Sequence, residues 1–289
     1  MLGQNHDEKK RRIGGGERKR DDSCLELWDL IVNNDDICFK HILPKLNGTD
    51  VKFLHDVNSE TRKLIKRSPF ADDLKLTFEA REMSSISTLE VAWEHYPWGT
   101  WGDESRMDEP YFCWGVARTN KLELLKWARE EKNCDWDEVT IYMAASQGNL
   151  EMLKYCVANK CPINEWACTE AARNGHLEVL KYLREEVKAP WDWRTADEAA
   201  QNGHLHILEY LFERKYDKYT TDACAYAAKN GHLDCLVYLH ETAKAPWDRM
   251  AVYFAHEYSR PECLQYLLDN DCPLPKDWSY EGGELRTSE

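Results

Sequence analysis

Three histidines, His176, His204 and His232, recur 28 residues apart, each between a glycine and a leucine. Histidine is the commonest metal ligand and a ready general base, so a column of them invites a metal site. The spacing argues against it. It places the rings on successive copies of one unit, and packed helices lie about 8–10 Å apart. Zinc holds its ligand nitrogens at about 2.0–2.1 Å. Each histidine is expected instead to be a turn residue bonding to the next unit's backbone. The eleven cysteines contain no Cys-x-x-Cys, and the closest group is Cys156, Cys161 and Cys168. Most fall in apolar helical columns (Cys168, Cys224, Cys235, Cys263), where a reduced cysteine acts as a small core residue. No Gly-rich phosphate loop, GxSxG or HExxH is present. Acid pairs such as Glu185-Glu186 lie on solvated faces, without a partner to separate their pKa values. No enzyme, metal or cofactor is predicted.

The elements behind the histidines form a repeat. Copies read AASQGNL (144–150), AARNGHL (171–177), AAQNGHL (199–205) and AAKNGHL (227–233), flanked by VARTNKL (116–122) and AHEYSRP (255–261). The glycine column runs Asn120, Gly148, Gly175, Gly203, Gly231, Ser259, with periods of 28, 27, 28, 28 and 28. A fixed period of 20–50 residues marks a stacked solenoid, because one unit cannot bury its own apolar face. In the copy from Ala189 to Glu213, Asp192 caps a first helix starting at Trp193, and Trp191 faces Ala196 as a hydrophobic staple. Asp137, Asn164, Thr220 and Asp248 repeat the cap; Trp136, Ile163, Tyr219 and Trp247 repeat the staple. Asn202-Gly203 ends the helix in a left-handed turn. Leu205, Leu208 and Leu211 form the stripe of a second helix, repeated by Leu177/Leu180/Leu183 and Leu233/Leu236/Leu239.

GHLEVLKYL (175–183), GHLHILEYL (203–211) and GHLDCLVYL (231–239) resemble the second-helix signature of ankyrin repeats, and the resemblance spans about 165 of the 289 residues. It implies an all-α, ankyrin-type helical solenoid over 109–275 with first helices lining a concave face. These copies are about five residues shorter than the usual 33, which predicts that the projecting β-hairpin is reduced to a turn. The Thr-Pro-Leu-His opening is replaced by Arg194-Thr195-Ala196-Asp197.

The chain carries 38 basic and 52 acidic residues, a net charge of −14. Seven of the basic residues lie in the first 22, leaving a remainder that would repel a phosphate backbone, so nucleic acid is not expected as a partner. No apolar run approaches 18 residues and the N-terminus is charged, so neither a membrane span nor a signal peptide is read. The expectation is a cytoplasmic or nuclear monomer.

Outside the array, 1–22 reads as a disordered basic tail whose KKRR and RKR clusters are spaced like a nuclear-import signal. A small helical module over 23–68 precedes the array. Its segment ILPKLNGTDVKFLHDVNSETRKLI (42–65) resembles the second half of an F-box at Ile42, Leu43, Leu46, Asp50, Val51, Val57 and Leu64. That resemblance implies binding to the adaptor of a cullin–RING ubiquitin ligase through Ile42, Leu43, Leu46, Val51 and Leu54. It lacks the opening Leu-Pro and the tryptophan after Val57; the other reading of 23–68 is a helical cap on the array. Residues 69–108 form a linker holding one decayed repeat helix (TLEVAWEHY, 88–96) and an insertion loop, and 276–289 reads as a disordered tail.

Columns that repeat are explained by stacking; columns that vary on the first helices are not. The varying ones are Tyr142/Thr169/Asp197/Ala225/Tyr253, Val139/Trp166/Arg194/Asp222/Met250 and Met143/Glu170/Glu198/Tyr226/Phe254. Tyr, Trp and Arg dominate protein-interface hot spots. The sequence therefore predicts a protein-binding scaffold whose partner contacts Tyr142, Trp166, Trp193, Arg194, Asp197, Glu198, Asp222, Tyr226 and Tyr253. The acids among them favour a basic partner.

Overall fold

The computed structural model describes residues 44, 59–66, 68–69, 80–94 and 108–287. Two compact units divide the chain, Met1–Leu76 and Thr77–Glu289. In the first, helix α1 (Ser59–Lys66) buries Leu64 and Ile65, and the Ser68 hydroxyl donates to the Ile65 carbonyl at 2.7 Å, closing the helix end. Ile42, Leu43, Leu46, Val51 and Leu54 lie outside the described residues.

The second unit is a stack of helix pairs. After a 3-10 turn (Ala80–Glu82) and α2 (Ile86–Glu94), the pairs are α3 (Glu109–Ala117) with α4 (Leu122–Lys126), and α5 (Glu138–Ser146) with α6 (Leu150–Ala158). They continue as α7 (Trp166–Arg173) with α8 (Leu177–Lys181), and α9 (Arg194–Gln201) with α10 (Leu205–Glu213). The last two are α11 (Thr221–Asn230) with α12 (Leu233–Glu241), and α13 (Arg249–Glu257) with α14 (Pro261–Asp269). Odd-numbered first helices pack on one another from α3 to α13; α2 packs against α4 as α6 does against α8. Among the described residues, the connections between the pairs contain no strand. Residues 276–287, read from sequence as a tail, instead hold an antiparallel hairpin of β1 (Ser279–Glu281) and β2 (Glu284–Arg286) turned by Gly282-Gly283.

The predicted caps Asp137, Thr220 and Asp248 directly precede α5, α11 and α13, while Asn164 and Asp192 sit one residue further back from α7 and α9. The backbone N–H two residues on donates to Asp137 (3.0 Å), Asn164 (3.0 Å), Asp192 (3.1 Å), Thr220 (3.2 Å) and Asp248 (2.9 Å). Behind Asp192 the helix begins at Arg194, one residue later than predicted. The alanine pairs of α5, α7, α9 and α11 are fully buried, so neighbouring backbones approach closely. In the second helices Leu180/Leu183, Leu208/Leu211 and Leu236/Leu239 are buried, while Leu177, Leu205 and Leu233 are only half-buried. Val179, Ile207 and Cys235 complete the stripe instead, because the first leucine sits beside the turn at the edge.

The turn glycine is required twice over. Gly203 has φ +73°, and a Cβ there would stand 2.6 Å from the His232 ring. Histidines of the column do bond to backbone, but of the preceding unit: Nε2 of His176 meets the Ser146 carbonyl and Nε2 of His204 the Arg173 carbonyl, both at 2.9 Å. The direction follows from the stacking order, since each turn lies under the ring of the unit after it. Other residues do the same work elsewhere in the column. Lys121 donates to the Ser84 carbonyl (2.6 Å), Asn149 to that of Asn120 (3.3 Å) and Arg260 to that of Lys229 (3.0 Å).

A longer alternation lies over the repeat. Arg129 stacks 4.3 Å above Trp136, Arg184 3.9 Å above Trp191, and His240 stacks on Trp247 at 3.7 Å. These pairs occur in every second unit. Two of those second helices end in π-helical turns, Trp127–Glu131 and Tyr182–Val187, whose wider coil takes up one more residue before the left-handed Asn133 and Lys188 than the units of Lys160 and Lys215 contain. The described cysteines are buried and reduced. Burial pushes the thiols of Cys168, Cys224 and Cys272 up to about 12, which keeps them protonated and unreactive.

Candidate recognition surface

The three varying columns have different fates. In the first, Thr169, Asp197 and Ala225 are buried between first helices, and only Tyr142 and Tyr253 at the ends are open to any degree. Asp197 is 2% exposed and its two oxygens accept from the Thr220 hydroxyl at 3.1 and 3.2 Å. It therefore cannot meet a partner, contrary to the sequence expectation. Burial pushes its carboxyl up to about 7, aided by the negative charges of Asp222, Glu198 and Asp192 and opposed by the Thr220 bond. At the open ends, Tyr142 accepts a hydrogen bond from Asn164 at 2.7 Å. Tyr253 is 39% exposed with its ring 6.2 Å from Trp278, which the C-terminal segment lays beside α13.

The second column carries the densest cluster. The Arg194 guanidinium stands 4.0 Å over the Trp166 ring and 5.5 Å from Trp193. Its Nη2 donates to Glu165 at 3.1 Å and to Asp192. Arg194 is thus held between an indole and two carboxylates, and the Asp192 bond holds its charge more firmly than in water. Trp193 borders the cluster and, at 46%, is among the most exposed large apolar residues, together with Tyr258. Asp222, the next position, is exposed.

The third column is bridged by Arg173, which sequence reading passed over. Its Nη1 donates to Glu170 at 2.8 Å, and Nη2 and Nε form a two-pronged pair with Glu198 at 2.9 and 3.0 Å. Burial raises the Glu170 carboxyl while Arg173 pulls it down. The i,i+3 spacing of Glu170 and Arg173 was a usable signal; the link to Glu198 needed the stacking. Tyr226 follows, half-buried, and then Phe254, with Lys229 5.5 Å from the Phe254 ring and 4.8 Å from that of Tyr258.

At the other end, Tyr111 and Trp114 of α3, with ring centroids 4.8 Å apart, flank a cleft of about 230 Å³ shared with Asp108, Pro110, Asp137 and Val139. Arg118 lies 5.0 Å from the Trp114 ring. The lining is apolar, with two carboxylates fixed by capping the N–H groups of Tyr111 and Val139. Sequence reading missed this cleft because α3 belongs to the degenerate copy.

The face as a whole is aromatic and acidic, and Arg173 and Arg194 are already committed to its own carboxylates. Among the described residues no group of three His, Cys, Asp or Glu side chains is placed to hold a metal, and no helix is long and apolar enough to cross a membrane.

Residues 141–184 match the family model for ankyrin repeats (many copies), and residues 196–277 match that for ankyrin repeats (3 copies). These two stretches are ankyrin repeats, and the sequence expectation holds there. The chain is also similar to the crystal structure of the human ASB11 ankyrin repeat domain, at 22% identity over 46% of this chain and 69% of that one, with a TM-score of 0.37. No curated protein matches the sequence.

Proposed function

We propose that this chain, as a carrier of ankyrin repeats, is a non-catalytic scaffold that binds a protein partner across its first helices. One observation carries the reading: exposed and half-exposed aromatics run along helices whose stacking does not need them. Trp193 is 46% and Tyr253 39% exposed, with the half-buried Tyr226 between them on α11 and the half-buried Trp166 on α7 before them. Such residues supply large contact area at low entropic cost. The partner is basic on this reading. Arg173 and Arg194 are neutralised internally, Asp222 is exposed, and the Tyr111–Trp114 cleft offers rings and carboxylates to one lysine or arginine side chain. Asp197 no longer belongs to the contact set.

The test is paired affinity capture with the full chain and its Trp166→Ala/Tyr226→Ala variant as baits. Proteins retained by the parent and lost by a variant of unchanged circular dichroism support the reading. Retention of every partner at equal affinity overturns it.

A second reading makes the scaffold a substrate adaptor of a cullin–RING ubiquitin ligase through residues 23–68. It is favoured by the F-box resemblance and by α1, where the matching Leu64 is buried as a core residue of such a module. Leu46→Arg in the full chain should then abolish co-purification of the ligase adaptor; an unchanged pull-down rejects it.

A further inference from the structure

Away from the first helices, the ends of the second helices enclose a cleft of about 400 Å³ lined by Arg184, Glu185, Lys188, Trp191, Tyr210 and Arg214. Three cations face one carboxylate there, on a chain whose net charge is −14. That carboxylate is occupied: Glu185 accepts from Arg214 at 2.6 and 3.1 Å and from the Tyr210 hydroxyl at 3.2 Å. The hydrogen bonds from Arg214 lower its pKa from the ordinary carboxylate value.

Arg184 and Lys188 are not so matched. The Arg184 guanidinium is fixed 3.9 Å over the Trp191 ring and donates to the Ala189 carbonyl, while its buried Nε–H has no acceptor. Lys188 reaches only the Glu185 carbonyl oxygen. Among the described residues, neither forms an ion pair with a carboxylate. The corresponding arginine two units earlier differs in one respect. Arg129 also stacks on its tryptophan, but Asp135, six residues on, stands 4.0 Å from its Nη1. Six residues after Arg184 the chain has Pro190. Where one unit supplies an anion to its stacked arginine, the other leaves Arg184 without one, in a cleft whose single carboxylate is already taken by Arg214.

We propose that this cleft binds an oxyanion, a carboxylate or phosphate group borne by a ligand, at a site separate from the first-helix face. Such a group would accept charge-assisted hydrogen bonds from Arg184, Lys188 and Arg214, and stacking on Trp191 has already paid the ordering entropy of the central donor.

The test is a titration of the full ¹⁵N-labelled chain with sodium phosphate and, separately, sodium acetate at constant ionic strength. The side-chain N–H signals of Arg184 and Trp191 are followed. A saturable shift is expected, and saturation by phosphate alone or by both anions tells which oxyanion class the site takes. Lys188 has φ +61°, so Lys188→Asn removes the charge while keeping a residue that tolerates that backbone. It should weaken the half-saturation point about fivefold, as loss of one solvent-exposed charge pair implies, with the melting temperature maintained. Shifts that never saturate with either anion, or a Lys188→Asn variant that binds as the parent does, overturn the proposal.

Discussion

Along the turns of the stack, Asn120, Gly148, Gly175, Gly203, Gly231 and Ser259 all take a left-handed conformation, with φ between 53° and 81°. The residue after the turn reaches back to the preceding unit, whether it is Lys121, Asn149, His176, His204 or Arg260. Along the first helices, by contrast, Val139, Trp166, Arg194, Asp222 and Met250 occupy one column and share no chemistry. The turn column keeps its geometry even where its residue types change. The helix column keeps its position while its chemistry is free. The first is what stacking requires, and the second is what it leaves available for recognition.

The sharpest way to break that contrast is at Gly203. Gly203→Val forces a β-branched residue to φ +73° and drives its Cβ into the His232 ring. A loss of about 3 kcal/mol is expected in chemical denaturation, within the range for strained backbone plus overpacking. A loss below about 1 kcal/mol would show that the turn is not what holds the units in register.

Asp197 tests the boundary between the two kinds of column, since it varies and yet is buried. Its folded-state pKa, about 7, lies above the ordinary value of 3.8. Its contribution to stability is therefore full below about 4 and is lost as pH rises through about 7. Asp197→Asn keeps an acceptor for Thr220 without the charge, and should add about 1–3 kcal/mol at pH 8. Across pH 4–7 the stability difference, variant minus parent, should rise. A flat difference would mean that the carboxylate is solvated.

Much of this was legible in the sequence. The caps, the glycine turn and the alanine pairs are local patterns, and each unit confirms the others. What was not legible depends on neighbours. Asp197 and Tyr253 share a column, yet one is sealed by Thr220 of the following unit and the other lies near the end of the row. Arg173 joins Glu170 to Glu198 only because α7 lies against α9. The alternation of Arg129/Trp136 with Arg184/Trp191 was hidden because the glycine column averages over it.

Two smaller substitutions sharpen the comparison. Thr195 is fully buried, its hydroxyl has no hydrogen-bond partner, and the same column holds Ala167, Ala223 and Ala251. Thr195→Ala should be neutral or stabilise by up to about 1 kcal/mol, because an unsatisfied group is removed. Ser259→Gly should stabilise the last turn, at φ +53°, by about 0.5 kcal/mol. Thermal denaturation reads both; destabilisation by either would mean that the side chain has a role beyond its column.

The central claim, that the varying first-helix aromatics form the recognition surface, is tested most directly by hydroxyl-radical footprinting with and without a captured partner. Trp193 and Tyr253 report on the first-helix face, and Phe212, 44% exposed on α10, reports on the second helices. The account predicts that the partner protects Trp193, Tyr226 and Tyr253 and leaves Phe212 as reactive as before. Protection of Phe212 with Trp193 and Tyr253 unchanged would contradict it.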